Sequence, residues 1–286
     1  MGSALVPGRS RLAGRFPGPA TGNFTSVSKS LPIKLISTDF DGTLFAEFEN
    51  PPIPHRLQAL IQRLQSEGAK WVINTGRDMS SLMETLGRTC LAVEPDFLVL
   101  VEREVFLHHD SQYLGLAEWN QACERAHVDL YARVVPDLPR IISWIEARFH
   151  ACIYADAFSP FCLIAQTNRD ADTIHEFLGD YCREVPNLTV VRNDVYARFS
   201  HADFNKGTAL AELTRREGLT RDAVFAIGDH LNDLPMLLSH HARFLAAPSN
   251  AVPAVKELVR RQGGYLSALS HGHGVADALQ HYLDRH

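Results

Sequence analysis

Two aspartates, Asp39 and Asp41, stand two residues apart after an apolar run and directly before Gly42. Side chains two apart project the same way in a strand, and they flank one site if the chain turns at the glycine. A carboxylate can attack phosphorus and form an acyl phosphate, while a second carboxylate can protonate the leaving oxygen and later activate water. Taken alone, this segment is equally typical of an Asp-Gly turn after a strand.

Two further clusters have the chemistry to hold a phosphate group. Residues 74–77 (Asn-Thr-Gly-Arg) offer the Thr75 hydroxyl and backbone N–H groups at Gly76, although a helix N-cap is the alternative. Lys206 lies at a predicted helix start, where the helix dipole disfavours a cation unless the ammonium faces an anion. A solvated surface lysine is the alternative there.

A fourth cluster has the oxygen ligands of a hard cation. Residues 228–233 (Gly-Asp-His-Leu-Asn-Asp) carry two carboxylates, Asp229 and Asp233, and one amide, Asn232. Mg²⁺ prefers such oxygen donors and usually keeps several waters. A turn followed by a helix cap is the alternative interpretation of this segment.

The elements that must position these clusters alternate between apolar strands and amphipathic helices. This alternation predicts an α/β fold with a doubly wound parallel sheet, and each cluster falls at the end of a strand or the start of a helix. At the carboxyl edge of such a sheet the clusters meet, and ligands bind there. We predict strands at 33–38, 71–74, 97–101, 223–227 and 244–247, and helices at 55–68, 80–87, 206–218, 234–238, 252–261 and 274–283.

The middle of the chain breaks this rhythm. Residues 107–200 have the order helix, strand, strand, helix, strand, strand, which predicts an antiparallel α+β module inserted in the core. We therefore predict a core of residues 31–106 and 201–286, interrupted by an inserted domain of residues 107–200.

Residues 1–30 differ from the rest of the chain. They contain no acidic residue and no continuous apolar segment of the kind that a secretory signal needs. We predict a disordered leader. A transit-like peptide, an overlong start and an expression remnant are the alternatives.

Composition limits the function classes. The chain has 286 residues with a formal net charge of -5, so it has no excess positive charge to attract nucleic acid. No apolar run is long enough to span a bilayer. The five cysteines form no CxxC pair, and paired histidines such as His240-His241 lack a zinc-site pattern. We expect a cytoplasmic protein, with organellar targeting by residues 1–30 as the alternative.

In their order along the chain, the four clusters resemble the motifs of haloacid dehalogenase-type phosphatases: Asp-Phe-Asp-Gly-Thr-Leu, Thr-Gly-Arg, Lys-Gly before a helix, and Gly-Asp-x-x-Asn-Asp. The insert resembles the large αββαββ cap of the Cof-type and sucrose-phosphatase branches. Residues 248–251 (Pro-Ser-Asn-Ala) agree with the Cof-type pattern. One departure concerns the end of the third strand, where Cof-type proteins show Asn-Gly and this chain has Glu102-Arg103-Glu104.

The resemblance implies a role for each matching residue. Asp39 is expected to be the nucleophile and a Mg²⁺ ligand, and Asp41 the general acid and base with its backbone carbonyl on the metal. Asp229 is expected to bind Mg²⁺, and Asp233 to support the metal directly or through water. The expected phosphate-binding residues are Thr75, Gly76, Lys206 and Asn232.

The function implied is Mg²⁺-dependent hydrolysis of a small phosphorylated metabolite, a sugar or polyol phosphate, through an aspartyl-phosphate intermediate. The alternatives are a phosphomutase and a catalytically silent binding or regulatory protein on the same fold. The expected partner is a small phosphate ester, with neither nucleic acid nor membrane. Arg198 and His201 are candidates for substrate contact from the cap, with a structural role as the alternative.

Overall fold

The computed structural model of the protein describes residue 2, residues 31–89 and residues 91–285. The leader predicted for residues 1–30 therefore lies outside the described residues, residue 2 apart. The described residues from Leu31 onward belong to one compact unit.

Strands and helices alternate along most of this unit. The described strands are β1 (Leu35–Thr38), β2 (Lys70–Asn74), β3 (Phe97–Leu100), β4 (Glu104–His109), β5 (Gln112–Gly115), β6 (Ala151–Tyr154), β7 (Cys162–Ala165), β8 (Leu188–Asn193), β9 (Tyr196–His201), β10 (Val224–Ile227), β11 (Phe244–Ala247) and β12 (Tyr265–Leu266). The described helices are α1 (His55–Ser66), α2 (Met79–Thr89), α3 (Ala117–Val134), α4 (Leu138–Glu146), α5 (Asn168–Glu184), α6 (Lys206–Arg216), α7 (Pro253–Arg261) and α8 (His271–Leu283).

The larger sheet has the strand order β12-β11-β10-β1-β2-β3-β4-β5. Its first six strands run parallel, and β4 and β5 extend it antiparallel. β1 is buried along its whole length, as expected for a central strand covered on both faces. Apolar residues of α1 and α8 cover one face, and those of α6 and α7 cover the other. The predicted doubly wound α/β class is confirmed.

A second, antiparallel sheet has the order β6-β7-β9-β8. Helices α3, α4 and α5 pack on one face of it around a separate apolar cluster that includes Phe161 and Phe199. We call the elements from α3 to β9 the cap. Among the described residues, no helix is long and apolar enough to cross a membrane.

Two sequence predictions need correction. Strands β4 and β5 of the larger sheet, which include residues 107–109 and 112–115 of the predicted insert, were not predicted. The hairpin between them was missed because its turn has Asp110 and Ser111 at positive φ (46° and 65°), where glycine or asparagine is the usual signal. The predicted helix at 234–238 is a series of turns after a short 3₁₀ helix at Leu231–Asp233, since Pro235 supplies no N–H. The domain limits themselves stay a prediction.

Candidate active site

Three carboxylates meet at the carboxyl edge of the larger sheet. Asp39 follows β1. Asp229 follows β10, and Asp233 ends the 3₁₀ helix in that same loop. One carboxylate oxygen from each residue lies within 4.8 Å of the others. β1 and β10 are hydrogen-bonded neighbours in the sheet, which explains why residues 190 apart in sequence share one site.

Lys206 contacts this carboxylate cluster from the start of α6. It is the first residue of α6, where Asn205 caps the helix by accepting hydrogen bonds from Gly207 N and Thr208 N. The Lys206 side chain is fully buried, and its Nζ donates to Asp39 Oδ1 and Asp233 Oδ1 at 2.6 Å each. A solvated surface lysine is therefore excluded for this position.

Two glycines allow the loops of the site to approach one another. Gly42 has φ +77°, and a Cβ there would lie 2.6 Å from Asp229 Oδ2. A Cβ on Gly207 would lie 2.4 Å from the backbone oxygen of Pro235. Both contacts are shorter than side chains tolerate, so glycine is required at each point for the cluster to close.

The cluster carries more negative than positive charge. Burial, and next Asp233, raise the pKa of Asp39 well above its usual range, although Lys206 opposes this. Burial and Asp233 raise the pKa of Asp229 to about 6. Burial alone would lower the pKa of Lys206, but Asp233, Asp39 and Glu102 outweigh it and raise that pKa. Three carboxylates facing one ammonium leave two negative charges without a partner when all are ionised.

This donor set fits a hard divalent cation. All the candidate ligand atoms are carboxylate oxygens, the type that Mg²⁺ binds. Asp39 and Asp229 are the better-placed ligands, because both oxygens of Asp233 accept short hydrogen bonds, whereas Asp229 Oδ2 accepts only a long one of 3.5 Å from Asn250. Asp233 Oδ1 accepts from Lys206, and Oδ2 accepts from the backbone N–H groups of Asp229 and His230 at 2.9 and 3.0 Å. Asp233 therefore orders the Asp229 loop and the lysine.

Asp41 follows Asp39 by two residues and pairs with Arg77 instead of joining the carboxylate cluster. Its carboxylate accepts two hydrogen bonds from Arg77, at 2.8 Å from Nε and 2.6 Å from Nη2. The Arg77 guanidinium lies over the ring of Phe40 and also donates to the Thr85 hydroxyl at 2.5 Å. The role predicted for the Asp41 backbone carbonyl at the metal stays a prediction.

Thr75 and Gly76 follow β2 at the same edge of the sheet. Thr75 is 1% exposed, and its Oγ1 accepts from Arg77 N at 3.2 Å, which leaves the hydroxyl proton free to donate. Gly76 lies against Glu102, since a Cβ on the glycine would be 3.3 Å from Glu102 Oε1. The structure thus brings both residues to the carboxylate cluster's edge of the sheet.

Asn232, predicted to contact phosphate or a neighbouring loop, contacts the loop after β3. Its Nδ2 donates to Glu102 Oε1 at 3.0 Å. The amide orientation follows from chemistry, because a carboxylate can only accept. The buried Oδ1 has no partner. One of the two Asn232 donors is therefore unavailable to a phosphate.

Glu102 is also the residue that ties the core to the cap. Arg198 of β9 donates from Nη2 to Glu102 Oε2 at 3.3 Å and to Val101 O at 2.6 Å. Glu102 and Arg198 are 6% and 3% exposed. A second buried set lies beside this pair: His127 Nε2 accepts from His201 N at 3.0 Å, and Arg103 donates to Ser200 Oγ at 3.2 Å. We call Glu102, Arg103, His127, Arg198 and Ser200 the cap joint.

Comparison with known proteins agrees with this geometry. A family model described as haloacid dehalogenase-like hydrolase matches residues 36–94 and 153–279, more than half of the chain. The chain belongs to the haloacid dehalogenase-like hydrolases. The expected family, the hydrolase class of phosphatase type and the large cap of the Cof and sucrose-phosphatase branches are confirmed.

Two curated relatives of this hydrolase are named phosphatases. It is 25% identical to the 5-amino-6-(5-phospho-D-ribitylamino)uracil phosphatase YcsE of Bacillus subtilis, over 88% of this chain and 96% of that protein. It is 31% identical to a phosphoglycolate phosphatase of Methanothermobacter thermautotrophicus, over 40% of this chain and 46% of that protein. The second alignment thus spans about half of that relative.

Among solved structures, the sucrose-phosphatase of Synechocystis in complex with sucrose and phosphate superposes with a TM-score of 0.66. The identity is 18%, and the match covers 88% of this chain and 98% of the other. At this identity the likeness concerns the fold.

Several residues of this hydrolase's site had no role assigned from the sequence. Thr43 Oγ1 donates to Asp229 Oδ1 at 2.7 Å, and Asn250 Nδ2 donates to Gly42 O at 2.7 Å. Thr43 and Arg77 lie inside motifs that were recognised, and Asn250 lies in the recognised Pro-Ser-Asn-Ala segment. Membership of a motif was therefore the available signal. For Glu102 the signal was its departure from the family pattern.

The two residues predicted as candidates for substrate contact lie in the interior of the protein. Arg198 is engaged by Glu102 and Val101 O. His201 is 6% exposed, and its Nδ1 accepts from Asp203 N at 3.2 Å. Arg198 links the cap to the core, and His201 contacts His127 of the cap and Asp203 after β9, so both match the structural alternative.

Proposed function

We propose that this protein is a Mg²⁺-dependent phosphatase that hydrolyses a small phosphorylated metabolite, a sugar or polyol phosphate, through an aspartyl-phosphate on Asp39. The observation that carries the proposal is the buried Lys206 ammonium, 2.6 Å from both Asp39 and Asp233 at the edge of the sheet. A lysine fixed against a strand-end carboxylate suits a dianionic phosphoryl group, whose transfer depends on positioning and charge stabilisation.

Asp39 attacks phosphorus in the first step. Its Oδ1 is engaged by Lys206, so the attack falls to Oδ2. The bond between phosphorus and the ester oxygen breaks, and that oxygen takes a proton from Asp41, which enters this step as the carboxylic acid. Lys206 and the Thr75 hydroxyl offset the charge on the phosphoryl oxygens.

Water attacks the phosphorus of the acyl phosphate in the second step. Asp41 takes a proton from the water, the bond between phosphorus and Asp39 breaks, and inorganic phosphate leaves, so Asp39 is again a carboxylate and Asp41 again an acid. Arg77 holds the Asp41 carboxylate through two hydrogen bonds and so sets where the proton is delivered. Arg77 therefore acts as a positioning residue.

Asp39 and Asp229 would hold the divalent cation, supported by Asp233. When bound, the cation neutralises the carboxylates and the phosphoryl charge. The excess of carboxylates over ammonium groups supports this part of the proposal. Thr43 and Asn250 orient the Asp229 loop and the Gly42 turn for it.

The relatives support the substrate class. YcsE is named for a phosphorylated ribityl compound, and it aligns along nearly its whole length. The cap lies over the carboxyl edge of the core sheet and leaves a partly enclosed space of small-molecule size next to Lys206. We expect this space to exclude water during transfer.

The test is release of inorganic phosphate from a panel of sugar phosphates, polyol phosphates, nucleotides and p-nitrophenyl phosphate, with Mg²⁺ and with excess chelator. We expect turnover that requires the metal and favours one polyol or sugar ester. Isomerisation of an ester without phosphate release would indicate a phosphomutase. Binding of esters without any turnover would indicate a silent regulatory protein.

A further inference from the structure

A cavity of about 340 Å³ lies between the edge of the cap and the core. Lys206 and Asn232 form its inner wall, and Glu102 closes it towards the cap joint. His175 of α5 and Val191 of β8 line the cap side. Because the cavity shares Lys206 with the carboxylate cluster, a group bound there adjoins the transferring phosphoryl group. Its volume is at the lower end of the range for small-molecule sites.

Two residues that line this cavity have a buried polar atom without a hydrogen-bond partner. Asn232 is 92% buried, and its Oδ1 has no donor. His175 Nδ1 is also buried without a partner. A buried polar atom without a partner is destabilising, so a ligand that brings hydroxyl groups, which can donate and accept, is favoured here.

The charge of the wall disfavours an anionic ligand. The cations among the described lining residues already have carboxylate partners: Lys206 has two, and Arg192 pairs with Asp172 at 2.6 Å. Glu102 presents the carboxylate end of the Glu102–Arg198 pair to the cavity, because Glu102 lines the cavity and Arg198 does not. Arg198 Nε lacks a hydrogen-bond partner, but Arg198 does not line the cavity and its charge is offset by Glu102. The carboxylate of a leaving group would be repelled by the Glu102 carboxylate, and this repulsion is strong because a buried site has a low dielectric constant.

The backbone that presents Glu102 is strained. Arg103 N donates to Leu100 O at 2.9 Å, and the two residues between them have positive φ, 44° at Val101 and 67° at Glu102. Turns of this shape favour Asn-Gly. A β-branched residue at positive φ is an outlier, and such strain costs on the order of 1–3 kcal/mol. It persists where the surrounding contacts over-determine it, often at functional sites.

We infer that Glu102 determines specificity: it accepts donors from an uncharged, hydroxyl-rich leaving group and rejects phosphate esters whose leaving group carries a carboxylate. This inference rests on the proposed phosphatase function. It separates the two kinds of ester named for the curated relatives, because phosphoglycolate has a carboxylate and the ribityl compound has hydroxyls.

The test uses two esters of matched length, glucitol 6-phosphate and 6-phosphogluconate, which differ by a hydroxymethyl group against a carboxylate. With Mg²⁺ present, we expect kcat/KM for glucitol 6-phosphate to exceed that for 6-phosphogluconate by about tenfold or more. Glu102→Gln should lower this ratio about tenfold, mainly by raising kcat/KM for 6-phosphogluconate relative to that for glucitol 6-phosphate.

Two further variants make the result interpretable. Glu104→Gln is the matched control, since Glu104 is two residues away and lines a different cavity; its ratio should equal that of the wild type. His175→Phe tests the same wall without touching the cap joint. It should raise KM for glucitol 6-phosphate about tenfold with little change in kcat.

The outcomes separate the two proposals. Turnover of neither ester, nor of p-nitrophenyl phosphate, by folded wild-type protein with Mg²⁺ would overturn the proposed function. Turnover with a preference for 6-phosphogluconate, or an unchanged ratio in both Glu102→Gln and His175→Phe, would overturn only the role of Glu102.

Discussion

The carboxylate cluster and the cap joint both bury charge, yet they balance it differently. Around Lys206, three carboxylates share one ammonium. Within the cap joint, Glu102 pairs with one guanidinium, that of Arg198, and Arg103 donates to neutral oxygens. A buried charge is stable only when it is paired. The first region therefore has carboxylates left over that suit a further cation, whereas the Glu102–Arg198 pair is balanced by the protein alone.

A substitution at Asp39 should have the largest effect on the carboxylate cluster. Asp39→Asn removes the attacking carboxylate but keeps an oxygen that can accept from Lys206. We expect kcat to fall at least about 10³-fold, because an amide cannot replace the carboxylate that attacks phosphorus. Phosphate release from the best ester of the panel measures this.

The matched control for that change is Asp222→Asn, an exposed position before β10. It should keep wild-type turnover, and both variants should keep the wild-type melting curve in excess chelator. Near-normal turnover in Asp39→Asn would rule out the covalent mechanism.

The imbalance of charge at the carboxylate cluster is tested by Lys206→Met. Removing one partner of a buried ion pair costs about 3–5 kcal/mol, since the carboxylates are left without their cation. We expect a fall of that size in the free energy of unfolding in chelator, with part of it restored by Mg²⁺. Urea titrations with and without the metal measure both effects.

Lys70→Met provides the contrast for the buried lysine. The Lys70–Asp96 pair is 2.8 Å long, but the lysine side chain is 46% exposed. Its loss should cost no more than about 1 kcal/mol and should not depend on Mg²⁺. Equal losses of unfolding free energy in the two lysine variants would contradict the placement of Lys206 in a site with more carboxylates than cations.

The positioning role of Arg77 predicts an effect that depends on the leaving group. Arg77→Met should lower kcat for an alkyl phosphate on the order of tenfold more than for p-nitrophenyl phosphate, whose leaving oxygen needs little help from an acid. Arg88→Met is the control, since Arg88 lies on α2, which follows Arg77, and its pair with Glu84 is exposed. A uniform loss on both esters would assign Arg77 to stability alone.

His127 of the cap joint should make the free energy of unfolding depend on pH in the acid range. Burial, and next Arg103, lower the pKa of His127 to about 3. His127 is thus neutral when folded, and the unfolded chain takes up the proton first. Its contribution to stability is complete above about pH 6.5 and is lost as pH falls towards 3, by at most about 1.4 kcal/mol per pH unit.

His127→Gln removes that titration. The difference in the free energy of unfolding between wild type and variant should therefore narrow as the pH falls from 7 to 4. Urea titrations at several pH values measure it. Parallel curves would show that His127 is not the neutral, hydrogen-bonded group seen in the cap joint.

The sequence predicted the carboxylate cluster well because its residues lie in short motifs at strand ends. The topology of a parallel sheet then brings Asp39 and Asp229 together without further information. The unfavourable place of Lys206 at a helix start indicated that its ammonium faces an anion, whereas its complete burial was not predicted. The pairing of Asp41 with Arg77 could not be predicted, because it depends on side-chain direction and not on spacing.

The cap joint shows where sequence reasoning failed. Val101 and Glu102 occupy a turn shape that their residue types disfavour, so no local signal predicts the turn or the hairpin of β4 and β5 after it. The contacts of Glu102 with Arg198 and Asn232 join segments about 100 and 130 residues away. Tertiary contacts therefore determine this region, and the sequence offered only a departure from the family pattern.

The most direct test of the central claim is to look for phosphate on Asp39. A radiolabelled ester that the enzyme hydrolyses is mixed with protein and Mg²⁺ and quenched in acid within milliseconds. We predict transient, hydroxylamine-sensitive label on the wild-type protein and none on Asp39→Asn. Rapid turnover with no label on the wild-type protein at any time, or label that persists in Asp39→Asn, would contradict the account.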